Sequence, residues 1–177
     1  SQLFRGFGQS IKDKTELDGQ DLAHAFQSGV EVAYKAVMRP VEGTILTVIR
    51  EASEKIVEYT QPGMEIEDVF SYFVKEAENS LERTPELLPV LKEVGVVDSG
   101  GQGLLYIFEG FLKALKGETI VLEAQTEATG ESAQTALSSD EVEFGYCTEF
   151  IIMLEKEFTA KDETEFKAYL ESIGDSI

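Results

Sequence analysis

The sequence predicts a mainly α-helical chain: a helical bundle or barrel, then an acidic linker, then the start of an α/β domain. Three observations predict this. Apolar residues recur at helical spacing through residues 1–117, composition breaks over 118–141, and from Val142 the apolar period switches from helix to strand.

The first segment, SQLFRGFGQSI, carries Phe4, Phe7 and Ile11 at helical spacing. A second helix is expected over 20–38, with Leu22, Phe26, Val30, Ala33 and Val37 on one face, Asp18 as N-cap and Pro40 just past the end. The third runs from Thr44 to Tyr59, placing Ile45, Ile49, Ala52 and Ile56 in register, and the QPG turn at 61–63 ends it. The fourth, Glu65 to Leu81, turns Ile66, Val69, Phe70, Phe73, Ala77 and Leu81 inward. Its first-turn acids, Glu65, Glu67 and Asp68, suit the positive end of the helix dipole. TPELLP at 84–89 reads as a capped turn, with Pro89 leaving only a short irregular helix before Gly95. The last helix of the bundle is expected from Gly103 to Lys116. It is apolar over most of its circumference and so should be central.

From Glu118 to Glu141 the chain is small, polar and acidic, which predicts a flexible linker. Beyond it, Val142, Phe144, Tyr146, Thr148, Phe150, Ile152 and Leu154 share one face of an expected strand. Glu141, Glu143, Gly145, Cys147 and Glu149 share the other, and Ile151 and Met153 make both faces apolar at its far end. Residues 162–173 form a short amphipathic helix with Phe166, Tyr169, Leu170 and Ile173 inward, so 142–177 reads as a βα unit lacking its next strand. The predicted domains are therefore 1–117 and 142–177, joined by 118–141. Both chain ends read as cuts within a longer protein.

Composition limits what such a chain can do. With 34 acidic against 15 basic residues the net charge is −19, which disfavours nucleic acid and anionic membrane surfaces as partners. No apolar run reaches the roughly 20 residues of a membrane span, and the first residues lack a signal-peptide pattern. The single Cys147 excludes an internal disulfide and fits a reducing, cytoplasmic setting. A nucleotide ligand would need divalent cations held by carboxylates to offset the repulsion. His24 reads as a surface or boundary residue of its helix, and Cys147 as a structural thiol.

Two places remain where a glycine-containing loop opens a helix. In VGVVDSGGQGLL (94–105), Asp98, Ser99, Gly100, Gly101 and Gly103 crowd the helix start. Glycine is costly there unless something approaches the backbone closely, and free N–H groups at a helix N-terminus suit a phosphate. The plainer reading is a tight loop capped by Asp98 or Ser99. In RPVEGTILTVIREA (39–52), Pro40 and Gly43 shape the turn and Thr44 caps the helix with its hydroxyl available to backbone or ligand. With an intervening helix pair, the two N-termini can lie at one end of the bundle and flank one anionic ligand.

These residues carry a resemblance. RPVEGTILTVIREA, LKEVGVVDSGGQGLLYIFEGFLKALKGE and FGYCTEFII resemble, in order, the DAK2 (DhaL-like) domain and the start of the middle domain of bacterial fatty acid kinase A. That domain is related to the nucleotide-binding subunit of dihydroxyacetone (glycerone) kinases. The resemblance implies an all-helical barrel that binds ATP and Mg2+ in a mouth of inter-helix loops. It implies a kinase that phosphorylates a fatty acid presented by a DegV-like binding protein, giving an acyl phosphate. Thr44, Asp98, Ser99, Gly100 and Gly101 would belong to the nucleotide site. The family's metal-holding aspartates lie in a DGDTGTN-type segment, and a GxxGNSG loop adds phosphate contacts. Neither occurs in this sequence, so no catalytic residue is assigned and the chain alone is expected to be inactive. Cys147 matches a cysteine that the family's middle domain pairs with an HxH motif at a zinc site, and that motif is also absent. A homodimer is left open. Dihydroxyacetone phosphorylation and a non-catalytic helical interaction module are the alternative functions.

Overall fold

Caps and glycines set the helix boundaries and spacings. The structure is a computed structural model that describes residues 1–118, 151–153 and 158–173, and all regular secondary structure among them is helical. The chain divides into two units, Ser1–Glu131 and Ser132–Ile177.

In the first unit, α1 (Gln2–Ile11) crosses α2 (Gly19–Lys35) at Gly6 and Gly29. A Cβ on Gly6 would lie 2.6 Å from the Ser28 carbonyl oxygen, and one on Gly29 would lie 2.7 Å from that of Leu3. The two backbones touch where no side chain would fit, which is why glycine stands at both positions. This crossing buries Leu3 and leaves Phe4 40% exposed. Helix α2 opens on a reciprocal cap. Asp18 accepts the Asp21 N–H at 2.8 Å, and Asp21 accepts the Asp18 N–H at 3.4 Å. It stops at Lys35, short of the expected residue 38, and Val37 lies outside the core. Arg39 precedes Pro40, and a residue before proline resists the helical conformation.

Helices α3 (Ile45–Tyr59) and α4 (Ile66–Glu82) supply most of the remaining core. Val48, Ile49, Ala52 and Ile56 of α3 are buried together with Val69, Phe73, Ala77 and Leu81 of α4. Aromatic packing fixes the angles between helices. Phe26 of α2 stacks on Phe73 at 4.0 Å between centroids, and Phe108 meets Phe73 edge-on at 5.0 Å. After α4, Pro89 holds Leu88 extended and divides the expected irregular helix into α5 (Thr84–Leu87) and α6 (Pro89–Val94). Gly95, at φ 74°, ends α6 with a left-handed cap.

Helix α7 (Ser99–Leu115) differs from expectation in two ways. It begins at Ser99, so Gly100, Gly101 and Gly103 are its first turns and not a preceding loop. It is also a wall of the bundle and not its centre. Leu104, Leu105 and Phe108 are buried against the core, while Ile107, Phe111 and Leu115 are 45%, 52% and 43% exposed. Its described packing is chiefly on α3 and α4, which cover one face only.

In the second unit, α8 (Ala160–Ile173) opens on Thr159, whose Oγ1 accepts the Asp162 N–H at 3.3 Å, while the Asp162 carboxylate accepts the Thr159 N–H at 2.9 Å. Phe166 and Leu170 are half-buried, but Tyr169 and Ile173, expected inward, are 60% and 54% exposed. Residues 151–153 carry no strand, and Ile151 and Met153 are 96% and 92% exposed. Strand backbone needs a ladder partner, and none flanks these three among the described residues. The rest of the expected strand, the linker over 119–140 and Cys147 lie outside the described residues.

Candidate functional site

The turn into α3 is built around Gly43. Its φ of 81° is a left-handed conformation that side chains rarely adopt, and a Cβ there would lie 2.7 Å from Leu88 Cβ and 3.0 Å from the Thr84 carbonyl oxygen. Thr44 caps the helix as expected. Its Oγ1 accepts the Leu46 N–H at 3.3 Å and donates to the Val41 carbonyl at 2.8 Å, so its proton is used within the loop. Beneath this turn lies a polar chain that the sequence reading missed. The Gly43 N–H donates to Thr47 Oγ1 at 2.8 Å, and Thr47 donates to Glu42 Oε2 at 2.7 Å. Arg50 donates to the same oxygen at 2.9 Å and to the Tyr34 hydroxyl at 3.1 Å. Thr47 is wholly buried. Its hydroxyl, with Arg50, holds the Glu42 carboxyl below the usual carboxylate range despite partial burial. Burial opposes the charge of Arg50, but Glu42 and Tyr34 outweigh it and keep the guanidinium firmly protonated. A buried threonine four residues past a glycine turn was the available signal.

The turn into α7 is capped by Asp98, not Ser99. Asp98 Oδ2 accepts the Gly101 N–H at 2.7 Å. The N–H of Asp98 itself donates at 3.1 Å to Thr84 Oγ1, a fully buried hydroxyl that in turn donates to the Leu81 carbonyl at 2.7 Å. The N–H groups of Ser99 and Gly100 have no acceptor among the described residues, and both residues are exposed. These are the orphan donors that a helix start leaves open.

The glycines have different reasons. Gly101 is buried, and a Cβ on it would lie 3.0 Å from Leu81 Cδ1 and 3.1 Å from Val48 Cγ2, so tight helix packing accounts for it. A Cβ on Gly100 would lie 3.3 Å from Asp98 Oδ2 and 3.5 Å from Ile45 Cβ. Nothing lies within 4 Å of one on Gly103. None of the three has positive φ; that requirement sits at Gly43, in the other mouth.

The two helix starts are adjacent, since Ile45 is the first residue of α3 and Gly100 the second of α7. Thr44, Asp98, Ser99, Gly100 and Gly101 therefore gather at one end of the bundle. Two positive dipole ends and two exposed N–H groups there can receive anionic oxygens. The donor set suits phosphate but not magnesium, because Asp98 is the capping carboxylate and already accepts a hydrogen bond. No group of three His, Cys, Asp or Glu side chains among the described residues could hold a metal ion. His24 is exposed on α2, as expected.

An open pocket of about 230 Å³ lies elsewhere in the bundle, lined by Phe4, Phe7, Phe26, Phe70, Phe108 and Phe111 among other apolar side chains. It offers nothing to orient a phosphate. Among the described residues, no helix is long and apolar enough to cross a membrane.

Residues 1–113 match the DAK2 domain family. The chain belongs to that family. Residues 143–177 match the middle domain of the fatty acid kinase A-like family, which makes the chain part of a kinase-related subunit. Protein YloV of Bacillus subtilis (strain 168) is 47% identical over 185 residues, covering 100% of this chain and 34% of the relative. Uncharacterized protein SH1689 of Staphylococcus haemolyticus (strain JCSC1435) is 45% identical over 183 residues, covering 100% of this chain and 33% of the relative. The DAK2 domain chain thus spans about a third of the length of the curated relatives it matches. Within the DAK2 match lie both helix mouths, α3 and nearly all of α7.

Proposed function

We propose that this chain is part of the nucleotide-binding subunit of an ATP-dependent kinase, and that the paired mouths of α3 and α7 bind the nucleotide's phosphates. The parent protein would transfer the γ-phosphoryl group of ATP to the carboxylate of a fatty acid held by a DegV-like partner, releasing ADP and leaving an acyl phosphate. The observation that carries this reading is the contact of Ile45 with Gly100, which sets two helix N-termini side by side with the Ser99 and Gly100 N–H groups exposed. Membership of a kinase-related family supports it. Phosphoryl transfer depends on positioning and charge compensation more than on a nucleophilic side chain, so the want of a Ser/His or Cys/His pair does not count against it. Magnesium would be held by carboxylates that the rest of the parent contributes, consistent with relatives about three times as long.

The test is titration of the full-length parent with Mg-ATP, in wild type and Gly100→Val, with circular dichroism on both. The valine side chain would stand over the exposed N–H groups, so nucleotide affinity should fall roughly tenfold or more while helicity stays unchanged. Equal affinity in a folded variant would leave this mouth with only its capping role.

A further inference from the structure

One residue touches both mouths. Thr84 is wholly buried at the start of α5, and its two oxygens serve different neighbours. The hydroxyl accepts the Asp98 N–H at 3.1 Å and so holds the residue that caps α7. The backbone carbonyl lies against Gly43, where an added Cβ would come within 3.0 Å of it, and accepts the Leu88 N–H at 3.0 Å. Gly43 in turn is fixed from the other side by Thr47, Glu42 and Arg50. A continuous set of contacts therefore runs from the Arg50 guanidinium through Glu42, Thr47, Gly43 and Thr84 to Asp98 and Gly101.

We propose that Thr84 is a positioning residue: it sets the spacing between the α3 and α7 N-termini, and through that spacing the affinity of the site they form. This rests on the nucleotide reading above. Thr84 makes no contact with the ligand in this scheme. It acts through the Asp98 N–H, which is only partly exposed and would have no partner if the hydroxyl were lost. A donor left without an acceptor away from water is destabilised enough to move the turn that carries it. Threonine suits the task because its hydroxyl both donates to Leu81 and accepts from Asp98. Valine keeps the shape and removes both bonds; serine keeps both bonds and removes a methyl group.

The experiment pairs two readouts. In the isotopically labelled 177-residue chain, Thr84→Val should shift the amide resonances of Gly43 and of Ser99, Gly100 and Gly101 together. Thr84→Ser should leave them near their wild-type positions. In the full-length parent, Thr84→Val should weaken Mg-ATP binding by about tenfold, with the serine variant close to wild type and all three proteins equally helical. A folded valine variant whose resonances shift only around Asp98, and not at Gly43, would refute the link between mouths. Shifts at both mouths with unchanged ATP affinity would refute the positioning role. A wild-type parent that does not bind ATP would instead sink the nucleotide reading, and the proposed effect on affinity with it.

Discussion

Gly100 and Ile45 meet across the starts of two helices, with a Cβ on the glycine falling 3.5 Å from that of the isoleucine. Residues 45 and 100 are far apart in sequence, yet both sit in the first turn of their helices. Ile45 is consequently 37% exposed, although helical periodicity places it on the inward face of α3 with Ile49, Ala52 and Ile56. Its neighbour is another helix start, not the core. The pairing brings two partial positive charges together. That is unfavourable unless water or an anion faces them.

The three glycines of α7 should separate cleanly by stability. Gly101→Val would drive methyl groups into Leu81 and Val48, which already stand 3.0 and 3.1 Å from the site of a Cβ. A loss of about 1–3 kcal/mol is expected from overpacking. Gly103→Ala meets nothing within 4 Å and should gain about 0.5–1 kcal/mol, since alanine loses less backbone freedom in a helix. Urea unfolding of both variants checks this, and a stabilised Gly101→Val protein would show that the α3–α4–α7 packing is misread.

The helical domain was largely legible in the sequence, because caps and core periodicity are local signals. Asp18, Thr44 and Asp98 each cap the helix that follows, and Val69, Phe70, Phe73, Ala77 and Leu81 are all buried as their spacing requires. What depended on tertiary context was not legible. The apolar circumference of α7 argued for a central helix, but periodicity counts apolar faces and cannot say which of them is covered. The DSGG segment shows the same limit at the site. A glycine kept for a close ligand and one kept for close packing look alike in sequence, and only the nearness of Val48 and Leu81 tells Gly101 from Gly100. Thr84 carried no motif at all. Its part emerges from contacts to Asp98 and Gly43, which are distant from it along the chain.

Glu42 makes stability depend on pH in a defined direction. Its carboxyl titrates below the usual range because Thr47 and Arg50 bond the charged form. A depressed folded value means the stabilisation is present above the unfolded value of about 4.3 and is lost as pH falls through the lower folded value. Glu42→Gln should therefore be less stable than wild type at pH 7, with the gap closing as the pH is taken below about 4. Thermal melts of both proteins at pH 7, 5 and 3.5 would read this. A gap that stays constant across the series would mean that the charge of Glu42 contributes nothing to holding the α3 turn.

Asp98 offers the sharpest separation between a cap and a metal ligand. Its Oδ2 accepts the Gly101 N–H at 2.7 Å and lies beside the α7 N-terminus, so the carboxylate is committed to the helix it opens. Asparagine caps almost as well as aspartate, whereas alanine at an N-cap costs about 1 kcal/mol. Asp98→Asn should thus keep nearly all of the stability, and Asp98→Ala should lose about that amount. The nucleotide prediction follows from charge. If magnesium is held by carboxylates outside this set, removing the charge of Asp98 takes away a repulsion from the phosphates. The asparagine variant of the full-length parent should then bind Mg-ATP at least as tightly as wild type, with the same dependence on magnesium concentration. A stable Asp98→Asn protein that needs far more magnesium to bind ATP would reverse the assignment, making Asp98 a metal ligand that caps α7 only when the metal is absent.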